Sequence, residues 1–435
     1  MDRSILIRGV RAVDTKRDEC CDILIQSGKI EQMGENLSAD ADIVLDGTGL
    51  VAMPGLFDMH VHFRDPGQTH KEDLQTGCAA ALAGGVTGVL CMPNTTPPMD
   101  SAAQLSEFLA RAKETGVEVC QAGCLTMGLQ GKELADYPAL KTAGAAALSD
   151  DGRPVPTAEL MEQALRNAAA AGLPVVSHCE DLAIIDGGII NKGIISEQLG
   201  VKGMDRRSED SITQRDIDCA AKANASVHIC HVSTRGSVDA VRKAKAAGVQ
   251  VTCETAPHYF TLTEEKLLSR DADYRMNPPL RTEDDKQAII EGILDGTIDC
   301  IITDHAPHAA NEKAVFEKAP NGVVGLETSL AATLTALYHT GLLTLQDIVR
   351  LMSETPRRLL GLAPRTLSVG ADADLILVSP NLEWTVVPEQ LHSKSHNTVF
   401  KGMTFKGKPV MTITNGIIRY TDASAKIHKE EISNA

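Results

Sequence analysis

His60 and His62 stand two residues apart at the end of an apolar run that begins near Leu56. In a strand, alternate side chains share a face, so the two imidazoles project together with Cα atoms about 6.7 Å apart. Pro66-Gly67 then ends the strand. Two neutral imidazoles converging at a strand end make half of a metal site. Alone, the pair reads equally well as two polar residues on a half-exposed strand. The remaining ligands have to come from elsewhere in the chain.

The elements that would position them follow a rhythm from about residue 54 onward. A helical segment ends in Gly or Asn and a short apolar strand follows at once, at Gly85-Val86, Gly116-Val117, Gly144-Ala145, Gly172-Leu173, Asn224-Ala225, Gly248-Val249 and Gly296-Thr297. Gly and Asn close helices in the left-handed conformation. Each strand finishes on polar residues: MPN at 92–94, LTMG at 125–128, SDDG at 149–152, SHCE at 177–180, CHVST at 230–234, APHYF at 256–260 and TDHAPH at 303–308. With the first strand at 56–63 this gives eight βα units, which predicts a (β/α)8 TIM barrel rather than a doubly wound sheet. The segments 181–207 and 260–281 would be insertions on the active face. Residues 1–53 and 365–435 contain short strand-like runs, with turns at Ser27-Gly28-Lys29 and Asn415-Gly416. Neither end is large enough alone, so the two are expected to pair into one small β-sandwich beside a barrel spanning 54–364. The polar tail after about 422 is expected to fray.

A barrel of this kind carries its chemistry at the C-terminal ends of its strands. The first strand offers His60, His62 and Arg64; the second Asn94; the fourth Asp150 and Asp151; the fifth His178 and Glu180. The sixth offers His231, the seventh Glu254 and His258, and the eighth Asp304, His305 and His308. Any one strand-end His is as often structural as ligating, and Asp-Asp-Gly at 150–152 alone is an ordinary turn. Six strand ends agreeing is a stronger signal. Four imidazoles with two or three carboxylates exceed the three ligands of a mononuclear catalytic zinc site. They suit two ions sharing a bridging carboxylate, an arrangement that activates water and polarises a carbonyl.

The chain has 435 residues, 23% charged and 43% hydrophobic, an ordinary globular composition. A net charge of −16 argues against nucleic acid or an anionic membrane surface as partner. An anionic substrate would then need local positive charge, from a metal or an arginine. The 11 cysteines form no Cys-x-x-Cys pair, which points to a reducing cytoplasm rather than a disulfide framework or zinc ribbon. No signal-peptide core or bilayer-length apolar run is visible.

His60-Val61-His62, Asp151, His178, His231 and Asp304 resemble the metal centre of the amidohydrolase superfamily, in its cyclic amidohydrolase branch. DMHVHFRDPG, MPNTTPP, SDDG, MNPPLR at 276–281, TDHAPH and GVVGLET at 322–328 resemble, within that branch, the dihydroorotases of the long bacterial type, over nearly the whole chain. The resemblance implies reversible, zinc-dependent interconversion of N-carbamoyl-L-aspartate and (S)-dihydroorotate in pyrimidine (UMP) synthesis. It assigns one zinc to His60, His62, Asp151 and Asp304 and a second to Asp151, His178 and His231. It gives Arg64, Asn94, Asn277 and His308 to the substrate, with backbone help at Asn321 and Gly322. Asp151 takes the place where many relatives carry a carboxylated lysine, and Asn321 stands where several members have Phe.

The chemistry is consistent with that assignment. Opening a cyclic amide needs a hydroxide, an electrophile on the carbonyl oxygen and a proton for the departing nitrogen. Asp304, beside the metal, is placed to shuttle that proton. Arg64 offers a planar fork that matches a carboxylate. Dihydropyrimidinases and hydantoinases act on substrates without a ring carboxylate and have less need of Arg64. An allantoinase would be expected to use the bridging lysine, but the nearest one, Lys141, falls in the preceding helix. A non-catalytic paralogue would lose ligands, whereas all six are present here. The expected partner is a small-molecule substrate, and the default assembly is a homodimer. The polar loop between His308 and Gly322 is expected to be mobile when empty and to close over the ligand.

Overall fold

The computed structural model describes residues 3–423 and the short strand Lys429–Glu431. Most of the tail expected to fray lies outside the described residues, but Lys429–Glu431 pairs antiparallel with Ile43–Leu45.

Eight parallel strands close into a barrel. Leu56–Val61, Val86–Cys91, Glu118–Cys124 and Ala147–Ser149 form one set of neighbours. Val176–Ser177, Val227–Ile229, Val251–Thr255 and Cys300–Ile301 form the other. Parallel bridges Leu148–Val175 and Val61–His305 join the sets at their two seams. All seven junction residues noted in the sequence adopt positive φ, from 48° at Asn224 to 104° at Gly144. Each thus lets the chain leave a helix and turn into the next strand without a steric penalty.

Side-chain caps start the helices. Asp73 caps Leu74–Ala83, Thr157 caps Ala158–Ala171, Thr234 caps Arg235–Ala246 and Thr282 caps Glu283–Leu294. Each cap satisfies an otherwise orphaned amide and stabilises its helix by about 1 kcal/mol. The helices are one-sided: Arg235–Ala246 buries Val238, Val241 and Ala244 against the barrel and leaves Lys243 exposed.

The two ends of the chain build one forked sheet. Ile5–Val13 pairs antiparallel with Asp18–Gln26 on one side. On the other side its first half pairs with Ile43–Asp46 and its second half with Val51–Pro54, both parallel. The sheet continues from Val51–Pro54 through Leu375–Thr385 and Thr404–Thr414 to Ile417–Thr421. Both expected hairpins form, with positive φ at Ser27, Gly28, Asn415 and Gly416. Ile7, Ile23, Leu45, Leu375 and Ile413, from both ends of the sequence, share one buried core that makes this sheet a sandwich.

Three long loops crown the barrel after its fifth, seventh and eighth strands. Ile190, Ile195, Leu267, Ala272, Phe316 and Ala319 from these loops pack into one satellite core. This small core fixes the rim above the strand ends.

Candidate metal centre and substrate cavity

The strand ends bring the predicted ligands into one buried cluster. Asp151 lies at its centre. Its Oδ1 is 3.3 Å from His60 Nε2, 3.5 Å from His178 Nδ1 and 3.7 Å from His231 Nε2. Its Oδ2 is 3.4 Å from His62 Nε2. Asp304 Oδ1 lies 3.1 Å from His62 Nε2 and 3.7 Å from His60 Nε2. The backbone turns sharply here: Arg64, His231 and Asp304 have φ of 58°, 32° and 49°. Non-glycine residues rarely adopt this region, and such outliers concentrate at functional sites.

These donors fit cations. His60 Nε2 and Asp151 Oδ1 are buried and face each other, yet neither makes a hydrogen bond. Two ligand atoms bound tetrahedrally at usual zinc distances stand about 3.3 Å apart, which is the spacing seen around Asp151. The electrostatics agree. Burial opposes charge on His60, but Asp151, Cys230 and Glu254 outweigh it and hold its pKa well above the ordinary value. His178 is likewise raised to about 10, because Asp151 and Glu180 overcome its burial. Asp151 and Asp304 stay low despite burial, since the imidazoles favour their charged forms. The pocket thus carries surplus negative charge that protons on histidine offset where a cation would.

Three of the four imidazoles are held from behind. His60 Nδ1 is 2.6 Å from Glu254 Oε1, and the other oxygen of Glu254 is 3.1 Å from His228 Nε2. His62 Nδ1 donates to Asn94 Oδ1 at 2.8 Å. His178 Nε2 meets Glu180 Oε2 at 3.2 Å, and Glu180 accepts from Asn277 Nδ2 at 3.0 Å. Such outer partners fix the tautomer and aim the free nitrogen at a metal.

A cavity of about 200 Å³ opens over the cluster. Arg64, Asn94, Asn277, His308, Asn321 and Gly322 all line it. Arg64 Nε is anchored to Pro307 O at 3.2 Å, and no carboxylate pairs with its guanidinium among the described residues. Burial lowers its pKa to about 10, so it stays charged at neutral pH. Asn94 and Asn277 are already engaged in holding imidazole partners, so they shape the wall and the metal shell together. The Gly322 N–H donates to Arg275 O at 3.0 Å and its carbonyl accepts from Asn397, so Gly322 contributes shape more than a free amide.

Other candidates stand apart from the cluster. Asp150 turns away and accepts from the Leu125 and Thr126 amides, fixing the loop after the third strand. His305 binds Glu72 through Nε2 and accepts the Gly325 amide at Nδ1, a structural role. His258 is buried with its Nε2 unpartnered and is pushed by burial to about 4. Lys141 bonds Gly172 O on the outer face, away from the bridging position. Sequence reasoning missed Cys230, whose sulfur joins His60, Asp151 and His231 in one potential ligand group. In a regular strand it would face away from His231; the positive φ of His231 breaks the alternation, and nothing in the sequence signals that.

Comparisons with known proteins agree with this geometry. Residues 49–237 match the family model described as dihydro-orotase-like. A dihydroorotase of Pelobacter propionicus is 47% identical over 422 residues, covering 96% of this chain and 99% of that protein. A dihydroorotase of Geobacter sulfurreducens is 48% identical over 420 residues, covering 95% and 99%. Among solved structures, the L-hydantoinase (dihydropyrimidinase) of Arthrobacter aurescens superposes with a TM-score of 0.85 at 26% identity, over 98% of both chains. Near-full-length identity of this order places the chain in the dihydroorotase family.

Proposed function

We propose that this chain is a dihydroorotase that interconverts N-carbamoyl-L-aspartate and (S)-dihydroorotate, with loss of water on ring closure. The observation that carries the substrate choice is Arg64, a charged guanidinium with no carboxylate partner among the described residues, lining the cavity above Asp151. Dihydroorotate bears a ring carboxylate for it; dihydrouracil, hydantoin and allantoin do not.

His60, His62, Asp151 and Asp304 would hold one zinc, and Asp151, His178 and His231 the other. Bound there, the ions would supply the Lewis acidity that lowers the pKa of a water and polarises the amide carbonyl. Arg64 orients the substrate through its carboxylate, with Asn94, Asn277 and His308 shaping the wall and Asn321 and Gly322 closing it. In hydrolysis Asp304 starts ionised, takes the proton of the attacking water and delivers it to the ring nitrogen. In ring closure it starts protonated and runs the same transfer backwards.

The same reading puts the reaction in pyrimidine synthesis in the cytoplasm. All eleven cysteines are free thiols, which supports a reducing compartment. No helix among the described residues is long and apolar enough to cross a membrane. A homodimer completes the reading, and light scattering of the purified chain checks it. The deciding experiment offers zinc-loaded protein dihydroorotate, dihydrouracil, hydantoin and allantoin in parallel. Preferred turnover of dihydroorotate is expected; preferred turnover of any of the other three would overturn the assignment.

A further inference from the structure

Lys313 buries its amine inside the protein, where burial pushes its pKa down to about 7 and the ammonium form leans on its hydrogen-bond acceptors. It sits in the loop after the eighth strand and is 7% exposed. Its Nζ lies 3.0 Å from Arg275 O, 3.0 Å from Pro320 O and 3.1 Å from Gly322 O. An ammonium has three N–H donors and no acceptor, so these three carbonyls satisfy it completely. No carboxylate pairs with it among the described residues. A buried charge without a counterion is expensive unless hydrogen bonds compensate. A buried methionine would fill the same space without that penalty, so the ammonium has some other use.

The three carbonyls belong to the cavity wall. Arg275 lies two residues before Asn277, and Pro320 and Gly322 flank Asn321. Asn277, Asn321 and Gly322 all line the cavity. Further bonds close the knot: the Gly322 amide donates to Arg275 O at 3.0 Å, and Arg275 Nη2 donates to Asn321 Oδ1 at 3.1 Å. His308 Nε2 donates to Asn321 O at 2.9 Å. Gly322 sits at φ 141°, and a Cβ there would come within 2.6 Å of Ala306 O, so only glycine lets the chain pass. Phe316, from the same loop, is anchored in the satellite core shared with the two other rim loops. Because its three protons are all engaged, the Lys313 amine is not offered as a nucleophile.

We propose that Lys313 is a positioning residue for substrate: its buried ammonium pins the segments around Asn277 and Asn321 to each other and presets the cavity wall before ligand arrives. This rests on the reading of that cavity as the substrate site. It runs against the expectation of a loop that is mobile without ligand, and hydrogen exchange decides between the two.

The test uses the full-length, zinc-loaded protein and the variant Lys313→Met, which keeps the length of the side chain and deletes its donors. KM for dihydroorotate is expected to rise by about tenfold or more, as preorganisation is lost, while zinc content holds and kcat changes far less. Hydrogen exchange is read on residues 314–322 of the same proteins without ligand. The wild-type segment is expected to be protected. In the variant it exchanges faster, and saturating dihydroorotate restores protection. Should the Met variant fail to fold, Lys313→Gln, with two N–H donors, is expected to give an intermediate KM and intermediate protection. An unchanged KM in a folded variant, or rapid exchange of 314–322 in the empty wild type, overturns the proposal. Failure of the wild type to turn over dihydroorotate would instead sink the functional reading, and the exchange comparison would still decide the pin.

Discussion

His60 Nδ1 and Glu254 Oε1 lie 2.6 Å apart across the barrel, linking the first strand to the seventh. Glu254 is fully buried, and although burial favours its neutral form, His60 and His228 hold its carboxyl down to about 2. The anion therefore accepts the Nδ1 proton of His60 and leaves Nε2, facing Asp151, as the nitrogen that would give up its proton to ligate a cation. Glu254→Gln is expected to weaken zinc binding by about 10–100-fold with little change in thermal unfolding. Competition against a chromophoric chelator measures this, and an unaltered affinity would count against the role.

Asp304 lies against His62 and His60 and faces the cavity. Asp304→Asn is expected to retain much of the bound zinc but to lose about 10²–10⁴ in turnover, in both directions. Rates at matched zinc occupancy provide the check. Substantial turnover by the metal-replete variant would leave Asp304 as a ligand only.

Arg64 carries the preference for a ring carboxylate in this reading. Arg64→Met should cost about 1.5–3 kcal/mol in kcat/KM for dihydroorotate and much less for dihydrouracil. Arg64→Lys should fall between, because a point charge replaces a bidentate fork. If the ratio of the two substrates is the same in wild type and Met variant, Arg64 does not read the carboxylate.

His308 makes a prediction about pH. Burial, reinforced by Arg64, Lys71 and Lys313, pushes its imidazole down to about 2. An unfolded histidine takes a proton near pH 6.5, so between about 6.5 and 2 the unfolded chain binds one more proton than the native state. That group's contribution to stability is complete above about pH 6.5 and is lost, by up to about 1.4 kcal/mol per pH unit, as pH falls below it. His308→Asn should flatten the acid limb by up to that slope, measured by urea unfolding at pH 7, 6 and 5. Parallel curves for variant and wild type would refute the neutral imidazole.

Much of this was legible in the sequence, for identifiable reasons. Gly85, Asn224 and their counterparts mark where helices must turn into strands, because few other residues tolerate positive φ. His60 and His62 share a face because strand geometry requires it. Spacing alone did not separate Asp150 from Asp151, and only the family resemblance chose Asp151; the path of the turn sends Asp150 to the amides of Leu125 and Thr126 and Asp151 to the histidines. Cys230 was invisible, since its place depends on the positive φ of His231. Lys313 read as part of a polar loop, because its acceptors at Arg275, Pro320 and Gly322 are backbone atoms with no sequence signature.

The forked sheet has a consequence for synthesis on the ribosome. Ile5–Val13 and the hairpin that follows emerge ahead of the barrel and pair at once, but the outer edge of Val51–Pro54 finds its partner only in Leu375–Val378. The whole barrel is translated in between, a delay on the order of tens of seconds at usual elongation rates. Through that interval the nascent chain carries an apolar open edge, the kind of template on which chains aggregate. Pro54, which lacks an amide hydrogen, sits at the end of that edge and blunts it. A nascent chain halted before Leu375 would therefore be a natural client for a chaperone that covers exposed strands.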